Sequence, residues 1–121
     1  MAMHRETPTS RFLPLRPVEF EILLSLAEGE RHGYGIIKDA EERGLSKTPD
    51  VGTLYRALRR MTDDGLIAAV ERKGNTDADD ERRLHYRITT LGRKVAHAQA
   101  LQFAALARAA VAGGLMPKGA T

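Results

Sequence analysis

Arginines at positions 56, 59 and 60 fall within one short apolar-periodic stretch between Asp50 and Gly65. Helical spacing there sets Leu54, Leu58 and Met61 on a common face, with Ala57 beside them. The opposite face then carries Gly52, Thr53, Arg56, Arg59, Arg60 and Asp63. Residues three or four apart are neighbours on a helix, so Thr53 flanks Arg56 and Arg56 flanks Arg60. A guanidinium presents a planar fork of donors that matches the edge of guanine or two phosphate oxygens. Glycine and threonine at the start of such a helix let it approach a base edge or a sugar-phosphate strand closely. The chemistry these types and spacings could perform is recognition of duplex DNA in the major groove. Three arginines on an exposed helix are common in themselves, and what lies on either side of this helix gives them meaning.

A second group of cations, Arg72, Lys73, Arg82 and Arg83, brackets a loop that carries Asp77, Asp79, Asp80 and Glu81. Acids at the loop tip would be repelled by phosphates. The base of the loop, with Lys73, Arg82 and Arg83, is therefore the part expected to touch a DNA backbone. For Arg82 and Arg83, local pairing with the loop acids is an equally open reading. Arg93 and Lys94 sit in the first turn of the last expected helix, where the macrodipole disfavours each cation by about 0.3–1 kcal/mol. A wet surface tolerates that cost, and nearby phosphates would offset it. Catalysis has no comparable footing. His4, His32, His85 and His97 show no metal-binding spacing, and there is neither a cysteine nor a nucleophile motif. The acidic run lacks the glycine and terminal glutamate spacing of a calcium loop. No catalytic residue, metal or cofactor is expected.

The elements that must position these groups follow from periodicity and stop signals. Residues 1–16 show no periodicity and contain Pro8 and Pro14, so they read as a flexible arm. Pro17 suits the first turn of a helix, because its φ is preset and its missing N–H is not needed there. Ile22, Leu23, Leu26 and Ala27 give that helix a core face, and Gly29 ends it. A second helix runs from about Gly33 to Arg43 with Ile36, Ile37 and Ala40 inward, and stops at Gly44. After a short polar turn, Asp50 caps the arginine-bearing helix, with Thr48–Pro49 as an alternative start. Gly65 terminates that helix, and Leu66 and Ile67 follow as apolar anchors. Ala68–Lys73 and Arg82–Ile88 read as the strands of a hairpin whose tip is Gly74–Glu81. Thr89 or Thr90 caps a last helix reaching Ala112, which Gly113 and Gly114 close.

That last helix is apolar on more than one face. Leu91, Val95, Ala98, Leu101, Ala105 and Leu106 offer more surface than one small domain covers, which predicts pairing with a second copy. A helix folded wholly onto its own core is the alternative. The order helix–helix–helix–strand–strand–helix predicts a mainly α fold with a small β-hairpin: a winged helix-turn-helix plus a C-terminal dimerisation helix. The boundaries are an arm at 1–16, a DNA-binding domain at 17–89, a dimerisation helix at 90–112 and a flexible tail at 113–121.

Bulk composition agrees with this size and class. At 121 residues, 42% hydrophobic and 29% charged, the chain suits one domain of ordinary globular type. Residues 1–81 hold 12 Lys and Arg against 16 Asp and Glu, whereas residues 82–121 hold 7 against none. Such asymmetry fits a polyanionic partner or a solvated basic tail. The opening residues lack the apolar run of a signal peptide, and no stretch reads as a membrane span. A soluble cytoplasmic protein is the expectation.

His32–Ile37, reading His-Gly-Tyr-Gly-Ile-Ile, and Gly52–Leu58, reading Gly-Thr-Leu-Tyr-Arg-Ala-Leu, resemble the PadR family of transcriptional regulators. The resemblance continues through Asp64-Gly65-Leu66-Ile67, Tyr86-Arg87-Ile88-Thr89 and Gly92, and covers residues 18–95. It implies a winged-helix homodimer on a palindromic double-stranded operator, usually a repressor, often released by a small hydrophobic or phenolic effector. The single helix after the hairpin is similar to the shorter subgroup, whose drug-responsive members bind flat apolar molecules at the dimer interface. By position, Tyr34 and Tyr55 resemble family residues near the DNA backbone, although Tyr55 could equally pack its ring inward. Arg56 stands where the family commonly has proline, and the acidic loop tip departs from more basic family wings. No tryptophan is present, so Phe103 is the aromatic left to meet a planar ligand; ordinary dimer packing is its other reading. An alternative function is a winged-helix protein-interaction module that does not bind DNA.

Overall fold

A computed structural model of the chain describes residues 9–43, 50–71 and 84–119. Helix α1, Pro17–Ala27, begins with its proline, and Glu19 Oε1 accepts the Arg16 N–H at 2.9 Å. Ile22, Leu23 and Leu26 bury its inner face. Helix α2, Gly33–Arg43, turns Ile36, Ile37 and Ala40 toward the same core. At its start His32 Nδ1 accepts the Gly35 N–H at 3.0 Å, doing the work of a cap with an imidazole. Helix α3, Val51–Asp63, is capped by Asp50, whose Oδ1 accepts the Thr53 N–H at 2.7 Å. Leu54, Ala57, Leu58 and Met61 are its buried face, as the spacing requires. Gly65 adopts φ +82°, which lets the Leu66 N–H return to the Met61 carbonyl at 3.0 Å and drops Leu66 into the core.

Strands β2, Ile67–Glu71, and β3, Leu84–Ile88, pair antiparallel with Ala69 opposite Tyr86. The hairpin is as expected within these bounds; residues 72–83, with the tip and the cations at its base, lie outside the described residues. A third strand, β1, Arg31–His32, adds to the other edge of β3, giving the order β1-β3-β2. Two residues are too few to show alternation, so its pairing partners Tyr86 and His85 could only emerge from the fold.

Helix α4, Thr90–Ala112, starts from a threonine that serves two elements. Thr89 Oγ1 accepts the Gly92 N–H at 3.0 Å, and its own proton faces the carbonyls of Gly65 and Leu66 at 2.6 and 2.9 Å. The end of α3 and the start of α4 are thereby fastened at one residue. α4 closes where Gly114 takes φ +81° and the Leu115 N–H returns to the Ala110 carbonyl at 2.8 Å.

Two expectations are corrected. Residues 9–16 do not form a free arm: Thr9–Phe12 make a 3-10 turn, Leu15 enters the core, and Phe12 and Leu13 pack against it. Prolines interrupt this stretch, so its apolar residues carry no period although they are buried. Val95, expected at the dimer surface, is wholly buried in its own domain, because the first turns of α4 lie across the core. Leu91 packs partly against the same core. Beyond Gln99, α4 keeps Phe103 against Phe20 of α1, while Leu101 and Leu106 are 58% and 66% exposed.

Candidate nucleic-acid interface

The outward edge of α3 is solvent-facing because its inner face is completely used. Tyr55, Arg56 and Arg59 lie on it, with Thr53 half-buried at its start. Arg56 does not extend freely. It folds back over the first turn, donating from Nη2 to Thr53 Oγ1 at 3.2 Å. The Asp50 carboxyl is held below its usual value, chiefly by the Thr53 backbone N–H, then by the Thr53 hydroxyl, with Arg56 adding to the effect. Arg56 thus rests against the cap.

Arg59 faces a shallow groove of about 410 Å³ between α3 and the sheet, shared with Tyr55, Thr62, Asp63, Ala69, Leu84 and Tyr86. Burial pushes the Tyr86 phenol above its usual range; neighbouring Tyr55 adds to this and Arg59 opposes it. Tyr86 therefore keeps its proton and remains a donor. The sequence places Tyr86 on a strand, and its hydroxyl's place beside α3 depends on the helix–sheet packing.

Arg60 is corrected. It turns toward α1, where its Nε and Nη2 lie 3.1 and 3.0 Å from Glu19 Oε2. Spacing along α3 could not show this, since the partner is on another helix. Arg56 and Arg60 therefore do not act as a pair of unengaged cations, and the cationic edge of α3 is narrower than the sequence implies.

Tyr34 is 61% exposed at the start of α2, its ring stacked on His32 with centroids 6.5 Å apart. Lys38, one turn on, places its ammonium 5.9 Å from the Tyr34 ring. Lys38 went unremarked in the sequence, although its four-residue spacing from Tyr34 was visible. Tyr55 is 44% exposed, and its hydroxyl end lies over Gly33, where a Cβ would come within 2.5 Å of it. Lys73, Arg82 and Arg83 lie outside the described residues.

α2 is held at its angle by charge. Asp39 bonds Arg43 at 2.6 Å and lies 3.9 Å from Arg31, which also meets Glu28 at 3.4 Å. Burial works to raise the Asp39 pKa, but the nearby Ser25 hydroxyl and the two arginines outweigh it and hold the carboxyl below its usual value. On the far side of the molecule, Phe103 meets Phe20 edge to face at 5.0 Å. An apolar groove of about 250 Å³ runs between α1 and α4 beside this pair, over Leu23, Leu24, Ala96 and Ala100. Among the described residues no cluster of three His, Asp or Glu could hold a metal ion, and no helix is long and apolar enough to cross a membrane.

The sequence profile of the transcriptional regulator PadR-like family matches residues 22–98. The chain belongs to the PadR-like family of transcriptional regulators. Both motifs that carried the resemblance fall inside the matched span. This PadR-like chain is 34% identical over 76 residues to transcriptional regulator Rv3488 of Mycobacterium tuberculosis, covering 63% of this chain and 65% of that protein's length. Its fold is similar to a PadR family transcription regulator of Clostridium difficile, with TM-score 0.68, 25% identity, and 77% and 93% of the two chains covered. It is also similar to Bacillus subtilis PadR, solved in complex with operator DNA, with TM-score 0.60, 28% identity, and 68% and 45% covered. These relatives are transcriptional regulators, and the PadR-like fold here is a winged helix: mainly α with a small antiparallel sheet.

Proposed function

We propose that this PadR-like chain is a cytoplasmic repressor that binds a palindromic double-stranded operator as a homodimer. The observation that carries the reading is the solvent-facing edge of α3, with Thr53, Tyr55, Arg56 and Arg59 presented while the opposite face is buried. Tyr34 would meet the backbone, as would Lys73, Arg82 and Arg83, which the sequence sets at the two ends of the acidic loop. The operator complex of the Bacillus relative supports this use of the fold. The dimer reading rests on α4, where Leu101, Ala105 and Leu106 stay exposed and Ala98 is half-buried. Pairing two such helices would hold the reading helices about one DNA turn apart, roughly 34–36 Å.

A small hydrophobic or phenolic effector would lower operator affinity by favouring a different spacing of the two halves. The apolar groove beside Phe20 and Phe103 supports that reading. The test is titration of a binding duplex at several salt concentrations. Each phosphate contact contributes about −0.9 to the log–log slope. The account expects a steep slope and weaker specific binding by Arg56→Ala and Arg59→Ala, with the dimer intact. Binding without a salt slope would instead support a protein-interaction module.

A further inference from the structure

Gln99 is the one buried side-chain amide on α4 among the described residues, 1% exposed. Its Oε1 accepts the Leu15 N–H at 2.6 Å, across 84 residues of sequence. Its Nε2 donates onward to Gln102 Oε1 at 3.2 Å, one turn along the helix. Leu15 itself is in the core, and Phe12 and Leu13 press on the same region. A buried amide needs its partners, and a Leu15 N–H left unpaired in the core would be destabilising. The segment Thr9–Leu15 is therefore fastened specifically to α4 at Gln99, and one turn further on Phe103 rests against Phe20 of α1.

We infer that Gln99 and the segment Thr9–Leu15 form a clasp that fixes the angle of α4 and so selects the half-site spacing this protein accepts on DNA. The inference rests on the proposed α4-mediated dimer. Gln99 touches no DNA; it is a positioning residue. A rigid pivot makes a wrongly spaced operator bend or twist to fit, and such deformation lowers affinity by a factor of roughly five to several thousand. A loosened pivot lets the protein absorb the mismatch instead.

The experiment compares the full chain with Gln99→Met, Gln99→Glu and Ile22→Val on duplexes whose half-sites are spaced normally or moved by about 1–2 bp, roughly 35° of twist per bp. Gln99→Met keeps the volume and removes the acceptor. Gln99→Glu keeps an oxygen for the Leu15 N–H. Ile22→Val lowers stability through the core without touching the clasp. The parent should discriminate between spacings by about fivefold or more. Gln99→Met should lose most of that discrimination while keeping its affinity for the best duplex, Gln99→Glu should recover part of it, and Ile22→Val should match the parent. Hydrogen exchange at the Leu15 amide should be slow in the parent and fast in Gln99→Met. If Gln99→Met discriminates as the parent does, the clasp does not set spacing. If the parent binds no duplex, or binds every spacing alike, the operator reading itself fails and this inference with it.

Discussion

Replacing Gly92 with alanine adds a single methyl group where β3 turns into α4 and crosses the end of α3. On an open helical site the change would stabilise the protein by about 0.8–1 kcal/mol, because alanine gives up less backbone freedom on folding. Gly92 is not on an open site. A Cβ built there overlaps the Leu66 carbonyl oxygen and comes within 2.9 Å of Ile88 Cγ1. Neither neighbour can step aside cheaply. The Leu66 carbonyl is backbone that also accepts the Thr89 N–H at 3.2 Å and faces the Thr89 hydroxyl, and the Ile88 side chain is buried. Relief requires moving the first turn of α4 away from α3, which breaks the Thr89 contacts and opens the core at Val95. Overpacking of this kind costs about 1–3 kcal/mol, enough to reverse the propensity gain. Urea unfolding followed by circular dichroism, at fixed protomer concentration so that dimerisation does not shift the midpoint, should show a lower midpoint at unchanged slope. A higher midpoint would refute the reasoning, because it would mean that α4 does not approach α3 as closely as described.

Other substitutions separate reading from support. Gly33→Ala should leave stability nearly unchanged, since the group it meets is the hydroxyl end of Tyr55, yet it should displace that ring and weaken DNA binding in an anisotropy titration. Arg60→Ala should cost on the order of 1 kcal/mol of stability through its half-exposed pair with Glu19, with no change in the salt slope of DNA binding. Arg56→Ala should do the reverse, reducing the slope with little effect on the unfolding midpoint. Asp39 has its folded pKa below the ordinary 3.8, so its contribution is fully present above that value and is lost as pH falls through the folded pKa. Asp39→Asn should accordingly flatten the acid limb of a stability–pH profile, and an unchanged limb would remove Asp39 from the account.

What the sequence could show follows the range of each interaction. The buried face of α3, its Asp50 cap and its Gly65 stop are set within a few residues, and all three appear in the structure as the spacing requires. The same holds for the Thr89 start of α4. Arg60 escaped because its partner Glu19 lies 41 residues away on another helix. Val95 escaped because apolar periodicity marks a residue as buried without saying whether its own core or a partner covers it. Leu15 and Phe12 escaped because prolines removed any period from a segment that long-range packing then ordered. In each case the missing information was tertiary, and in each it narrows the surface left for a partner: one arginine fewer on the cationic edge of α3, and less of α4 exposed.

The most direct test of the central claim is selection of bound duplexes from a random library by the full chain, followed by hydroxyl-radical footprinting of the enriched sequence. The account predicts an inverted repeat protected on one side, with half-site centres about 10–10.5 bp apart, and loss of sequence preference within each half-site for Arg56→Ala. An enriched sequence without a repeat, or the same repeat returned unchanged by Arg56→Ala and Arg59→Ala, would contradict it.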